Sequence, residues 1–476
     1  MNFLRMIMLC LLILTSSSCT NRSSNSIEPE KINYFFVNTE GDIVNPETKE
    51  PYHEREEENE YLKNILKAPY DTILVYIHGG LNAEEAAKKQ AKKIHMTFTR
   101  KMNKEIHSVF INWRSGPFIS YGDHLFFHRQ GEHWKWTGPL TSPFVLLEDL
   151  GRAIIRFPRT FVNTIKTYAK TYEFSEGFSG SNAYNLEGMA DCASMNNQGS
   201  EDSECRDYFG SITPKKEERT GAKIFLDHIR ATFSHTVGLA GNVVMDVVGP
   251  GAWDAMKRRT ELMFVKSKPD DASKYSSIPQ YSKLRKGGVY SFLEELERIQ
   301  IKEDKKIILV GHSMGAIVAN QILTAKPNIE YDKIIYLGAA CSIRDFQMSV
   351  IPYLVKNEKT TFYNYMLDPL AENMEAPYFG LAGTGSLLVQ IDDIYERPVA
   401  ENQRTLGRWE NVMNGLNYFD VKNDGTSKEY SSTEPPEDLV KRIHLRTIPF
   451  SKNHPTTHGE MNDDKHIDYY WNDLNP

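Results

Sequence analysis

The chain has 476 residues, with 56 Lys and Arg against 63 Asp and Glu, and a formal net charge of −7. That mildly acidic balance lacks the basic footprint of a nucleic-acid binder, and no nucleic-acid partner is expected. Apolar residues at 40% and charged residues at 25% suit a soluble globular protein with material for one large or two moderate domains.

The first nineteen residues depart from that average. Arg5 precedes an apolar run, Met6 to Leu14, followed by Thr15-Ser16-Ser17-Ser18-Cys19. A charged start, a short apolar centre and small residues read as an export signal, too short to span a bilayer. The small residues before Cys19 resemble a bacterial lipoprotein cleavage site, which implies lipid attachment at Cys19 and a membrane anchor in the cell envelope. Ser16 stands where that pattern usually has Leu, so secretion without a lipid is the alternative. Residues 20–30 then read as a flexible tether. Of the remaining cysteines, Cys192 and Cys205 bracket a polar loop and can pair in an oxidising compartment, whereas Cys341 follows an apolar strand and reads as a core thiol.

Ile32–Val37 and Asp42–Val44 flank Thr39-Glu40-Gly41, a hairpin pattern, and Glu54–Leu66 reads as a charged helix. Thr72–Ile77 is an apolar run suited to a buried strand, and it leads directly into His78-Gly79-Gly80-Leu81-Asn82. Glycines at that position let backbone N–H groups approach a bound oxygen, and a helix rich in Lys begins at Ala83. Its basic face reads as solvated. Ser108–Trp113 is the next strand, and strand, helix, strand is the start of a parallel α/β sheet.

The alternation then breaks. Phe118–Trp136 reads as an aromatic loop, and Pro143–Tyr172 carries apolar residues at near-helical spacing. A polar loop, a second apolar stretch over Ile224–Val248, a helix over Trp253–Phe264, a polar linker over Lys266–Gln280 and a helix over Gly288–Gln300 complete the insertion. It reads as a mainly helical cap, and its apolar stripes serve equally as core of a bundle or as a membrane-touching face. His124, His128 and His133 lack the cysteines or paired carboxylates of a metal site, so no metal is assigned.

Ile307–Val310 is another buried strand, Ala316–Leu323 a helix packed on a sheet, and Gly311-His312-Ser313-Met314-Gly315 joins them. A G-x-S-x-G turn between strand and helix is a nucleophile elbow, in which glycines permit the tight turn that lifts Ser313 from the sheet edge. Strands follow at Asp332–Ala340, at Thr360–Leu367 ending in Asp368, and at Ile443–Phe450, with a loop-rich stretch over Gly380–Gly407. His454 and His458 lie beyond the last strand, and His466–Leu474 reads as a terminal helix.

The order strand–HGG, strand, insertion, strand–GHSMG, strand, strand–Asp, strand–His, with VYIHGG, LVGHSMG and PTTHGE, resembles the α/β-hydrolase superfamily of serine hydrolases. The resemblance covers 72–113 and 305–476. It implies an α/β fold, a mostly parallel sheet flanked by helices, with residues 31–115 and 301–476 as the two parts of the core and 116–300 as the cap. It further implies cleavage of a small-molecule or lipid ester without a cofactor, with Ser313 as nucleophile, His458 as base and Asp368 as acid. Glu372 is the alternative acid. The backbone N–H of Met314, with that of Gly80 or Leu81, would form the oxyanion hole. His312 is expected to shape the turn and His444 to be structural. A binding or structural lipoprotein on the same scaffold, without catalysis, is the competing expectation.

Overall fold

The computed structural model describes residues 33–52, 54–67, 70–80, 84–101, 106–129, 132–133, 137–175, 183–185, 236–265, 286–375, 385–415, 439–448, 450, 454–463 and 466. The leader with Cys19, the tether, the Cys192 and Cys205 pair, Leu81 and the expected terminal helix beyond His466 lie outside them.

The protein is an α/β structure built on one mostly parallel sheet. Along the chain come β1 (Asn33–Val37), β2 (Ile43–Val44), α1 (Arg55–Leu66), β3 (Thr72–Ile77), α2 (Glu84–Lys101), β4 (Ile106–Trp113) and α3 (Pro117–Phe126). After a two-residue pair, β5 (His128–Arg129) and β6 (Glu132–His133), follow α4 (Gly138–Ser175), β7 (Ala183–Asn185), α5 (Thr236–Leu262) and α6 (Gly288–Glu303). The second part supplies β8 (Lys306–His312), α7 (Gly315–Ala325), β9 (Lys333–Leu337), α8 (Ile343–Lys356), β10 (Thr361–Leu367), α9 (Pro369–Met374), α10 (Leu387–Gln390), α11 (Trp409–Asn414) and β11 (Ile443–Ile448). The sheet order is β2-β1-β4-β3-β8-β9-β10-β11-β7, with only the outermost pairs, β1 with β2 and β11 with β7, antiparallel.

The apolar runs become strands because both faces of the sheet are covered. Ile73, Val75, Ile77, Ile307 and Leu309 face one side, against Leu62 of α1, Phe292 and Leu296 of α6, Val318 and Ile322 of α7 and Phe346 of α8. Leu74, Tyr76, Ile308 and Val310 face the other, with Ala91 and Ile94 of α2. A strand buried on both sides has no reason to alternate polar and apolar residues. Cys341 is packed in the first of these cores, where burial raises its thiol pKa.

The insertion differs from the expected separate cap in two ways. Its strand β7 joins the main sheet beside β11, and the C-terminal half of α5 and the turn after it send Trp253, Met256 and Met263 into the same core as α6 and α7. The expected aromatic loop is helical from its start at Phe118 to Phe126, as part of α3, which begins with Pro117 in the first turn, where a missing N–H costs nothing. Within the expected loop-rich stretch, Ser386 caps α10 through bonds from the N–H groups of Leu388 and Val389.

Candidate active site

Because β3, β8, β9, β10 and β11 run parallel, their carboxyl ends meet at one edge of the sheet. That edge collects His78, Ser313, Gly338 and Asp368 as the residues that immediately follow β3, β8, β9 and β10, the usual ligand side of an α/β sheet.

Ser313 has φ +53°, a left-handed conformation that costs a non-glycine residue about 1–2 kcal/mol. The surroundings hold it there. Its N–H donates to Leu337 O at 2.8 Å, and its carbonyl accepts from Ala340 N at 3.0 Å and Ala316 N at 3.1 Å. Two glycines are sterically required. A Cβ on Gly315 would lie 2.3 Å from Ile77 O, and one on Gly311 would lie 2.9 Å from the Gly315 and Ala316 backbone. The Ser313 side chain is buried, and its Oγ has no hydrogen-bond partner.

The His-Gly-Gly turn after β3 packs directly on this elbow. A Cβ on Gly79 would meet Ser313 Cβ and His312 Nδ1, each at 2.8 Å, and one on Gly80 would meet Met314 Sδ at 3.1 Å. Both expected oxyanion positions that the structure describes, Met314 and Gly80, are therefore neighbours of the serine. Met314 is the N-cap of α7 and receives no side-chain cap, so its end of the helix offers N–H groups to an anion. His78 itself is structural: its Nδ1–H donates to Gly79 O at 2.5 Å, its Nε2 accepts from Trp113 N at 3.1 Å, and its ring stacks on Trp113. Burial lowers its pKa to about 4, matching a neutral ring with both nitrogens in use.

His458 reaches the same place from the far end of the chain. Its turn is tied by Thr456, whose N–H and Oγ both donate to Glu460 Oε2, at 2.8 and 3.0 Å. The His458 N–H donates to Glu375 Oε2 at 2.8 Å. Its ring lies over Gly338, φ +53°, where an added Cβ would come within 2.9 Å of His458 Cε1. Ser313 bonds the residue just before, Leu337, so serine and histidine converge on one peptide of the β9 exit. The His312 ring sits 5.3 Å from that of His458 and its Nε2 donates to His458 O at 3.3 Å, which fits the expected turn-shaping role. Burial lowers His458 to about 3, with His312 adding to the effect, and lowers His312 to about 4. Both rings are neutral at neutral pH. Neither ring nitrogen of His458 has a hydrogen-bond partner, so the serine–histidine–carboxylate bonds are not made in this structure.

Two buried carboxylates, Asp368 and Glu372, and a half-buried one, Glu375, stand near the β10 exit, each with different work. Asp368 accepts from Leu370 N at 2.8 Å as the cap of α9, and burial raises it from 3.8 to about 7. Glu372 accepts from Ser386 Oγ at 2.8 Å and lies 3.7 Å from Arg408 Nε; burial raises it to about 8. Glu375, raised by burial to about 7, is the carboxylate bonded to His458, through the backbone. Sequence reasoning did not single out Glu375 or Arg408. Arg408 binds Asp392 Oδ2 at 2.9 Å and Glu410 Oε2 at 3.0 Å, and Asp392 also accepts from Thr405 and Asn411. No local spacing announces such a cluster.

Asp368→Asn gives a stability test with a defined sign. A carboxyl whose folded pKa is about 7, above its unfolded value, favours folding below that unfolded value and loses the benefit as pH rises through 7. Asparagine still accepts the Leu370 N–H. Relative to wild type, the variant should gain on the order of 4 kcal/mol at pH 8 and nothing near pH 4, read from urea midpoints. Equal gains at both pH values would show that ionisation of Asp368 is not the cause.

A cavity of about 1320 Å³ lies between α5, α7 and the 391–405 segment, lined by Trp253, Ile317, Gln321 and Thr405 among others; neither Ser313 nor His458 lines it. No known family model matches this chain, and no match is found among curated proteins or solved structures.

Proposed function

We propose that the protein is a serine hydrolase of the α/β-hydrolase type that cleaves carboxylic esters through an acyl-enzyme on Ser313. The observation that carries this reading is the left-handed Ser313 at the exit of a central parallel strand, with the His458 ring packed on the adjoining β9 exit. A hydrolase elbow needs that strain to present its serine. The strand order supports it too: serine, acid and histidine follow β8, β10 and β11, with one neighbouring strand, β9, between the first and second.

In this mechanism neutral His458 takes the Ser313 proton as Oγ attacks the ester carbonyl. The oxyanion is met by the N–H of Met314 and of Gly80 or Leu81. The C–O bond to the alcohol breaks as His458 returns the proton to it, and water then releases the acid by the same route. Asp368 orients the imidazole once the ring has turned toward it. Both oxyanion and imidazolium form next to buried Ser313 and His458, where fixed donors act more strongly than in water.

A silent scaffold is the second reading, favoured by the burial of Ser313 and by the unmade triad bonds. A fluorophosphonate probe separates the two. Phosphonylation of the Ser313 peptide, seen by mass spectrometry and absent in Ser313→Ala, supports the enzyme; an unlabelled wild-type Ser313 supports the scaffold. An ester panel of increasing acyl length then distinguishes esterase from lipase action.

A further inference from the structure

Helix α4 is built inside out. Its inward face carries Ser142, Asp149, Thr160, Thr164 and Thr167, all buried. Thr160 Oγ1 donates to Asp246 Oδ2 of α5 at 2.7 Å, Asn242 Nδ2 of α5 donates to Thr164 Oγ1 at 2.7 Å, and Tyr121 of α3 donates to Asp149 at 3.0 Å. The opposite face carries Leu140, Phe144, Leu147, Ile154, Ile155 and Val162. These recur at three-, four- and seven-residue steps, so they form one stripe along the helix. Leu140 is 76% exposed, Phe144 72% and Ile155 81%. A water-facing helix has the reverse arrangement, and a monomeric soluble protein rarely shows so large an apolar patch.

We infer that this stripe of α4 lies on a lipid bilayer surface with its apolar side chains among the acyl chains. Charge along one border of the stripe fits the partner. In the row beside the apolar strip Arg152 is paired with Glu148, and Arg159 and Lys166, seven residues apart, are exposed cations. Their position suits anionic headgroups while the stripe is immersed. The helix lies on the bilayer rather than crossing it, because no described helix is long and apolar enough to span a membrane. The polar bonds to α3 and α5 keep the inward face occupied, so the protein body stays on the aqueous side. None of this depends on whether Ser313 is catalytic.

The full chain, reconstituted with vesicles of phosphatidylethanolamine and phosphatidylglycerol, tests it by photocrosslinking. Benzoylphenylalanine placed at Leu147 or at Ile155 should yield phospholipid adducts. At Ile301, exposed on α6 away from the stripe, it should yield at least about tenfold fewer. Adduct yield at the α4 sites should fall severalfold in vesicles of phosphatidylcholine alone. Crosslinks from Leu147 or Ile155 to a second copy of the chain, or to its own 176–235 segment, would overturn the inference, as would equal lipid adducts at all three positions.

Discussion

Ser313→Ala is expected to lower kcat for ester hydrolysis by on the order of 10⁴ or more, with the fold unchanged. The side chain packs no core of its own, and the backbone bonds to Leu337 and Ala340 remain. His458→Gln should cost a similar factor, and the double variant little more, because nucleophile and base act as a unit. Ser313→Gly separates chemistry from strain. It should be equally inactive yet more stable than wild type by about 1 kcal/mol, since glycine occupies φ +53° without penalty whereas alanine keeps it. Rates from initial velocities and stabilities from urea midpoints decide it. Hydrolysis persisting in Ser313→Ala would remove the serine from the mechanism.

The largest stability effect is expected at Arg408. Its guanidinium is almost fully buried; burial opposes its charge, but Asp392, Glu410, Asp393 and Glu372 outweigh that and raise its pKa above the ordinary value. Arg408→Met fills much of the same space but leaves Asp392 buried without its cation, with the N–H and Oγ1 of Thr405 and Nδ2 of Asn411 as remaining donors. A loss of about 3–5 kcal/mol is expected at pH 8. The loss should shrink toward pH 5, where the orphaned carboxylates take up protons instead. Because Lys170 of α4 holds Glu410 at 2.8 Å, the variant also loosens the insertion from the core. A pH-independent loss would assign the effect to packing.

The core strands were legible because their signal is local. Thr72–Ile77 and the strand at 307–310 are mostly β-branched runs without a charged residue, and the structure places both at the sheet centre. The elbow was legible for the same reason, with strand, turn and helix within nineteen residues. The insertion was not, because its longest helix obeys an inverted rule: the polar residues of α4 that look solvated are the buried ones. Periodicity gave a helix there without giving its inward face. β7 had no legible pattern, three residues whose pairing is set by the exposed edge of β11. Glu375 and Arg408 were invisible in the sequence because each takes its role from partners 83 and 16 residues away, His458 and Asp392.

The two hydrogen bonds of the Ser313 backbone to the β9 exit divide the site into halves of unequal mobility. The serine is spliced into the sheet by main-chain bonds, so it moves only when the sheet moves. His458 is held instead by side chains: its N–H donates to Glu375 Oε2 just past the short helix α9, its carbonyl accepts from His312 Nε2, and its turn is tied by the Thr456–Glu460 bonds. Breaking side-chain tethers costs far less than opening a central ladder. Under the proposed mechanism, room for a substrate would come from a shift of the histidine turn about a stationary Ser313, a latch whose keeper is fixed and whose bolt swings.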